Sequence, residues 1–137
     1  MAATDLTGDV VTAMFVQQWY DLLSAHEPVE KLLALVSEQD LEMAFPPDDI
    51  LRSHEDFRRW YKAVGDANRD QSHTVERLDT RRQGDTVNVD VTVLWQTTQT
   101  SDDVTIRRRV QQQWRLRELA GGRLVIVNYQ VGELVPA

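Results

Sequence analysis

The spacing of hydrophobic residues changes once along the chain, from a helical period to a strand-like period near residue 70. Within residues 5–25, apolar side chains recur at steps of three and four, which predicts an amphipathic helix. Its apolar stripe consists of Val11, Met14, Phe15, Trp19, Leu22 and Leu23. Two more helices are predicted, a short one after Pro28 and one that begins at Ser53 and ends near Gly65.

After His73 the pattern alternates, as it does in half-buried strands. In "TVNVDVTVLW", Val87, Val89, Val91 and Val93 share one face. In the next strand Val110, Trp114 and Leu116 fall on one face, and arginines and glutamines on the other. The turns "QGD", "SDD" and "AGG" separate these strands, and an earlier short strand, "LEMAF", is stopped by two prolines.

This order predicts an α+β fold, with residues 1–137 forming one domain. We expect a cone-shaped, curved antiparallel sheet of about four long strands plus a short first strand, packed against three N-terminal helices. A sheet that helices close on one side leaves an apolar cavity, which is a natural site for a small molecule.

Composition narrows the possible partners. The chain of 137 residues has a net charge of −7 and no cysteine. The negative charge disfavours nucleic acid and anionic membrane surfaces, and no apolar run approaches the roughly 20 residues that span a bilayer. The three histidines lack the spacing of metal ligands, so we expect neither a metal nor a cofactor. The first residues, "MAATDLTGDVV", do not have the pattern of a signal peptide, so a cytoplasmic location is predicted.

The segment "VQQWYDLLSAHEPVEKLLALVSEQDLEMAFP", taken with the order of elements, resembles the nuclear transport factor 2-like superfamily. The late "W-x-L" strand and the final "G-x-L-V-I-V-x-Y" strand fit the same pattern, which covers nearly the whole chain. The nearest branches are the SnoaL-like polyketide cyclases and the ketosteroid isomerases. The resemblance implies a small apolar ligand in the cone and a homodimer that forms through the outer sheet face. It is specific for the fold and weak for function, because this superfamily carries several activities.

Carried over residue by residue, the resemblance implies that familiar catalytic groups are replaced. Where ketosteroid isomerases have a helix-one tyrosine, an aspartate base and a protonated aspartate, this chain has Trp19, Ala44 or Phe45, and Gln112. His73 corresponds to the first catalytic histidine of scytalone dehydratase. The second histidine of that enzyme is expected near Thr97 or Thr98, where this chain has none.

His73 is therefore the candidate catalytic residue, because an imidazole transfers protons or donates hydrogen bonds near neutral pH. The alternative is a histidine satisfied by a backbone carbonyl. We interpret His26 as a complement to a helix dipole, His54 as a surface residue, and Asp48 and Asp49 as turn residues. The expected ligand-binding residues are Trp19, Tyr20, Phe45, Trp60, Trp95, Gln112 and Trp114.

Two functions remain open from the sequence. One is a SnoaL-like isomerase, cyclase or dehydratase that acts on an apolar, oxygenated ligand. In this hypothesis His73 transfers the proton, and Gln112, Trp19 and Tyr20 hold the oxygen. The other is a non-catalytic module for ligand binding or dimerisation that lacks the carboxylates of the family.

Overall fold

Within residues 2–137, three α-helices and six strands follow the predicted order, with one short strand added to the five that the sequence predicts. The computed structural model describes the backbone of residues 2–137 and the side chains from residue 10 onward. The helices are α1 (Ala2–Ser24), α2 (Val29–Leu33) and α3 (His54–Ala67). The strands are β1 (Glu42–Phe45), β2 (Asp49–Leu51), β3 (Asn68–Gln83), β4 (Thr86–Gln99), β5 (Thr105–Glu118) and β6 (Leu124–Pro136). The α+β class, the curved sheet and the three helices are confirmed.

One sheet contains all six strands, in the spatial order β2-β1-β6-β5-β4-β3. The four long strands form the expected antiparallel meander. The expectation of a wholly antiparallel sheet is wrong, because β1 pairs with β6 in parallel. The sequence also gave no sign of β2, which pairs antiparallel with β1 across the proline-containing turn. The segment "PPDD" is thus the tip of a short hairpin.

Alternation along the long strands divides the sheet into a buried inner face and an exposed outer face. The four alternating valines of β4 are each 1% exposed. On β5 the buried positions are Val110, Gln112, Trp114 and Leu116, as the period of two requires. Their neighbours Arg107, Arg109, Gln111 and Gln113 lie on the outer face. The face assignment of β5 is confirmed.

Helix α1 packs on the inner face through a stripe that differs from the predicted one. Val11 and Met14 are exposed, whereas Thr12, Val16 and Tyr20 are buried together with Phe15, Trp19 and Leu23. The helix is therefore rotated so that Tyr20 points towards the sheet. The side chains of residues 2–9, where the predicted helix begins, lie outside the described part.

Bulges give the sheet its curvature. Strand β3 contains irregularities between Arg69 and Ser72 and between Val75 and Arg77. Asp70 adopts a φ of 54° within the first of them. Strand β6 has two further irregularities opposite β5. Because a bulge bends its strand and increases the local twist, the sheet curves around the helices.

Helix α3 begins as the sequence predicts and leads directly into β3. The Oγ of Ser53 accepts a hydrogen bond from the backbone N–H of Asp56 at 3.0 Å, which caps the helix. The helix ends at Ala67 and β3 begins at Asn68. His73 consequently lies inside β3, beyond its first bulge, and not at the start of the strand.

Candidate functional site

A cavity of about 190 Å³ lies between the inner face of the sheet and helices α1 and α3. Six of the residues predicted to form the site line it, namely Tyr20, Phe45, Trp60, His73, Trp95 and Gln112. The lining also includes Tyr129 of β6 and Val93 of β4. An engineered cavity of about 150 Å³ holds benzene, so this one has room for a ligand of roughly one ring with substituents.

Five hydrogen-bonded side chains lie at the inner end of the cavity or directly behind it, and we call them the deep network: Trp19, Tyr20, Gln112, Trp114 and Tyr129. Tyr20 donates its hydroxyl proton to Gln112 Oε1 at 2.7 Å, and Trp114 Nε1–H donates to the same oxygen at 3.0 Å. Trp19 Nε1–H donates to the hydroxyl of Tyr129 at 3.3 Å. Within the described side chains, no buried polar atom lacks a hydrogen-bond partner. Each side chain of the deep network is therefore hydrogen-bonded to another member.

Both tyrosines of the deep network are neutral at physiological pH. Burial raises the pKa of Tyr20 well above its ordinary value, and the neighbouring Tyr129 raises it further. Burial likewise raises the pKa of the Tyr129 hydroxyl. Since desolvation disfavours a phenolate, these hydroxyls act as hydrogen-bonding groups and not as bases.

His73 stands on the wall of the cavity beside the end of α1. Its ring stacks on the ring of Tyr20, with centroids 5.5 Å apart and planes inclined by 22°. Its Nδ1 lies 3.0 Å from Ser24 Oγ, and the same Oγ accepts a hydrogen bond from the His73 backbone N–H at 2.9 Å. Burial lowers the pKa of the imidazole to about 4, so the ring is uncharged at neutral pH.

The second ring nitrogen of His73, Nε2, is left for a ligand. Within the described part of the chain it has no hydrogen-bond partner, although His73 lines the cavity. Because buried polar side-chain atoms there are all paired, an unpaired Nε2 must be accessible from the cavity. Nε2 of His73 is therefore a polar atom of the site that is free to bind a ligand.

Two stacked aromatic pairs flank the mouth of the cavity. Phe45 and Trp60 stack with centroids 4.3 Å apart, and His26 and Tyr61 with centroids 4.2 Å apart. The ring of His26 also occupies the space beside Gly65, where a Cβ atom would lie 2.3 Å from its Nε2. The glycine therefore permits this position of His26, and flat apolar surfaces line the entrance.

The lining is almost free of charge. Among its described residues there is no lysine or arginine, and the carboxylate is that of Asp49, an exposed residue of β2. An anionic ligand would find no ion-pair partner in the cavity, and burying an unpaired charge is strongly unfavourable. The cavity is therefore suited to an uncharged molecule.

Two of the residues predicted to bind the ligand do not line the cavity. Trp19 and Trp114 are 1% and 2% exposed, and neither is among the residues that line the cavity. They pack behind the wall, with their rings 6.2 Å apart, where they hold Tyr129 and Gln112 in place. Tyr20, and not the positionally matched Trp19, brings a helix-one hydroxyl to the cavity.

Sequence reasoning missed three residues of the site. Ser24 gave no signal, because its contact with His73 joins residues 49 positions apart. The sequence did not show whether Tyr129 faces the cavity, and the structure shows its side chain buried in the lining. His26 was assigned to the end of a helix, yet its ring lines the mouth. The remaining histidine, His54, lies away from the cavity, with its Nε2 2.9 Å from the carbonyl oxygen of Val36.

Between residues 10 and 137, no group of three or more histidine or acidic side chains is arranged to hold a metal ion. None of the described helices is long and apolar enough to cross a membrane.

A curved sheet closed by three helices around such a cavity is the architecture of the nuclear transport factor 2-like proteins, and three solved structures share it. A scytalone dehydratase-like protein from Novosphingobium aromaticivorans DSM 12444 superposes with a TM-score of 0.86 at 16% identity, over 100% of this chain and 92% of that one. A nuclear transport factor 2-like protein from Salmonella enterica serovar Typhimurium LT2 has a TM-score of 0.82 at 11% identity, covering 98% and 94%. A type 3 hexachlorocyclohexane dehydrochlorinase from Novosphingobium barchaimii LL02 has a TM-score of 0.84 at 12% identity, covering 100% and 94%.

The family follows from the sequence match. Residues 16–127 match the SnoaL-like domain, so the chain belongs to the SnoaL-like family. No curated protein matches the sequence. At identities this low, the solved structures establish the fold and leave the activity to be argued from the site.

Proposed function

We propose that this protein binds a small, uncharged, oxygenated ring compound in the cavity and acts on it by acid–base chemistry through His73. The observation that carries the proposal is that Nε2 of His73, a residue that lines the cavity, has no hydrogen-bond partner among the described residues. A ligand oxygen that reaches this nitrogen completes its hydrogen bonding. Isomerisation, cyclisation and dehydration all begin by polarising or protonating such an oxygen.

The charge and size of the cavity select the ligand class. Trp60, Trp95 and Phe45 provide flat apolar contacts, and the described lining offers no cation for a carboxylate or phosphate. A matched set of three compounds tests this selection. Acetophenone has a carbonyl oxygen, ethylbenzene has no oxygen, and benzoate carries a charge.

We expect acetophenone to bind more tightly than ethylbenzene or benzoate, as measured by quenching of tryptophan fluorescence. Loss of one hydrogen bond corresponds to about a tenfold weaker Kd, which is expected for ethylbenzene and for acetophenone with His73→Leu. Benzoate should bind at least about tenfold more weakly because its charge stays unpaired in the cavity. Equal binding of all three compounds, or a preference for benzoate, would contradict the proposed ligand class.

Catalysis is tested with the same ketone. While Nε2–H of His73 polarises the carbonyl oxygen, a buffer base in solution removes a methyl proton of acetophenone, and the enol then takes a deuteron from D2O. The C–D bond that replaces the C–H bond is detected by NMR. We expect faster exchange with the wild type than with His73→Leu, since the variant no longer polarises the oxygen.

The alternative function is ligand binding without turnover. One observation favours it: the described residues at the inner end of the cavity include no carboxylate. The resemblance to ketosteroid isomerases likewise puts Ala44 or Phe45, and Gln112, at the acidic positions of that family. Binding of acetophenone without exchange above the buffer rate would select this alternative over catalysis.

We also propose a homodimer through the outer sheet face. Supporting this proposal, a broad groove on that face contains side chains of both signs, including Arg77, Asp79, Asp90 and Glu133. A surface with both signs can pair with a second copy of itself about a two-fold axis. Light scattering should give twice the chain mass for the wild type and a smaller mass for Gln111→Asp/Gln113→Asp, which adds like charges at the centre. A monomeric wild type would contradict the dimer.

The cytoplasmic location, the single domain and the lack of nucleic-acid or membrane partners stay predictions from the sequence.

A further inference from the structure

Ser24 makes two contacts with the same residue across the cavity wall. It is the last residue of α1, and its Oγ lies 2.9 Å from the backbone nitrogen of His73 and 3.0 Å from its Nδ1. These two contacts hold both the strand and the imidazole against the end of the helix. The arrangement also restricts where the proton of the imidazole can be.

The hydrogen-bond partners of Ser24 favour one tautomer of His73. The backbone N–H of His73 can only donate, so it uses one lone pair of the Ser24 oxygen. The hydroxyl proton of Ser24 then needs an acceptor, and among the described contacts of Ser24 the one suitable atom is Nδ1 of His73. An Nδ1 that accepts this proton carries none itself. In a neutral imidazole the remaining proton is then on Nε2.

We propose that Ser24 is a positioning residue that holds His73 as its Nε2–H tautomer, so that the cavity presents a hydrogen-bond donor to an acceptor oxygen of the ligand. The inference rests on the proposed function of this cavity and names the ligand class more closely. A ketone, ester or other neutral carbonyl compound fits a donor, whereas a group that only donates does not. A neutral imidazole that donates in this way polarises a carbonyl, as it does in other enzymes that keep a histidine uncharged.

The same geometry predicts what a different partner would do. A carboxylate at position 24 has no proton to give and would accept one from Nδ1–H. Nε2 would then present a lone pair to the cavity and act as a base. The serine therefore decides whether His73 donates or accepts, without itself touching the ligand.

The test is the tautomer of His73 in the ligand-free protein, read from the ¹⁵N chemical shifts and ring couplings of the imidazole by NMR. We expect Nδ1 to resonate as an unprotonated nitrogen and Nε2 as a protonated one. Ser24→Thr, which keeps the hydroxyl, should preserve this pattern. Ser24→Ala should lose the preference, and Ser24→Asp should reverse it and raise the pKa of His73.

The result that would overturn the proposal is an Nδ1–H form or an equal mixture in the wild type. An unchanged Nε2–H form in Ser24→Ala would also overturn it, because another group would then set the tautomer. His54 and His26 provide internal reference signals in every variant, and a preserved spectrum shows that a variant has folded. Since no ligand is present, failure of the tautomer experiment differs from failure of acetophenone to bind, which bears on the proposed function alone.

Discussion

The two polar regions of the cavity, the deep network and the pair formed by His73 and Ser24, use hydrogen bonds in different ways. In the deep network each side chain is hydrogen-bonded to another member, and Gln112 Oε1 accepts two hydrogen bonds at once. In the His73 pair, one ring nitrogen is held by serine and the other remains accessible. Hydrogen bonds among the members of the deep network stabilise the wall of the cavity, whereas the unpaired Nε2 of His73 can bind a ligand. Breaking each region should therefore have a different effect.

The largest effect on stability is expected in the deep network, from Trp19→Ala. The indole is 1% exposed and contacts Phe57, Trp114 and Tyr129. Removing a buried aromatic ring lowers the free energy of unfolding by about 3–5 kcal/mol, as urea denaturation would measure. If the variant does not fold, Trp19→Phe should show a smaller loss. A Trp19→Phe protein as stable as the wild type would show that the indole N–H is not needed to pair with Tyr129.

A smaller but more specific effect is expected from Gln112→Leu. This change leaves the hydroxyl of Tyr20 and the indole N–H of Trp114 without their acceptor. Unpaired buried donors lower the free energy of unfolding by about 1–3 kcal/mol. The matched control is Gln111→Leu, one position along β5 on the exposed face, where a change within about 0.5 kcal/mol is expected. An equal decrease in the free energy of unfolding of the two variants would show that the deep network does not depend on Gln112.

The contribution of His73 is expected in the pH dependence of the free energy of unfolding. Burial lowers the pKa of His73 from an ordinary value of 6.5 to about 4 in the folded state. Between these values the unfolded chain binds more protons at this residue than the folded chain does. Titration of His73 therefore does not lower the free energy of unfolding above about pH 6.5. As the pH decreases from 6.5 towards 4, it lowers this free energy by at most about 1.4 kcal/mol per pH unit.

Other groups also contribute to the pH dependence of stability in this range. The comparison of the wild type with His73→Gln isolates the contribution of His73. We expect the free energy of unfolding of the wild type to fall more steeply than that of His73→Gln between pH 6.5 and 4. Parallel curves for the two proteins would show that His73 is not desolvated in the folded state.

Alternation in the sequence predicted the sheet side of the site better than the helix side. A period of two leaves only two faces, so the buried position of Val110 and Trp114 also places Gln112 inside. On a helix, neighbouring residues differ by about 100° in direction, and both Trp19 and Tyr20 are aromatic. The apolar stripe therefore did not show which ring reaches the cavity and which lies behind it.

Long-range contacts could not be predicted from local patterns. The pairing of Ser24 with His73 depends on how α1 crosses β3, and the parallel pairing of β1 with β6 joins residues more than 80 positions apart. His26 likewise reaches the mouth only because Gly65 of α3 leaves space for its ring. Each of these contacts is set by packing between elements.

The most direct test of the central claim is to follow both ring nitrogens of His73 by ¹⁵N NMR while acetophenone is added. A ligand oxygen that accepts a hydrogen bond from Nε2–H should shift the Nε2 and Hε2 signals and leave Nδ1, held by Ser24, nearly unchanged. Ethylbenzene at matched occupancy should shift neither nitrogen appreciably. Saturation of the cavity by acetophenone with no change at Nε2 would contradict the account, because the ligand would then bind without meeting His73.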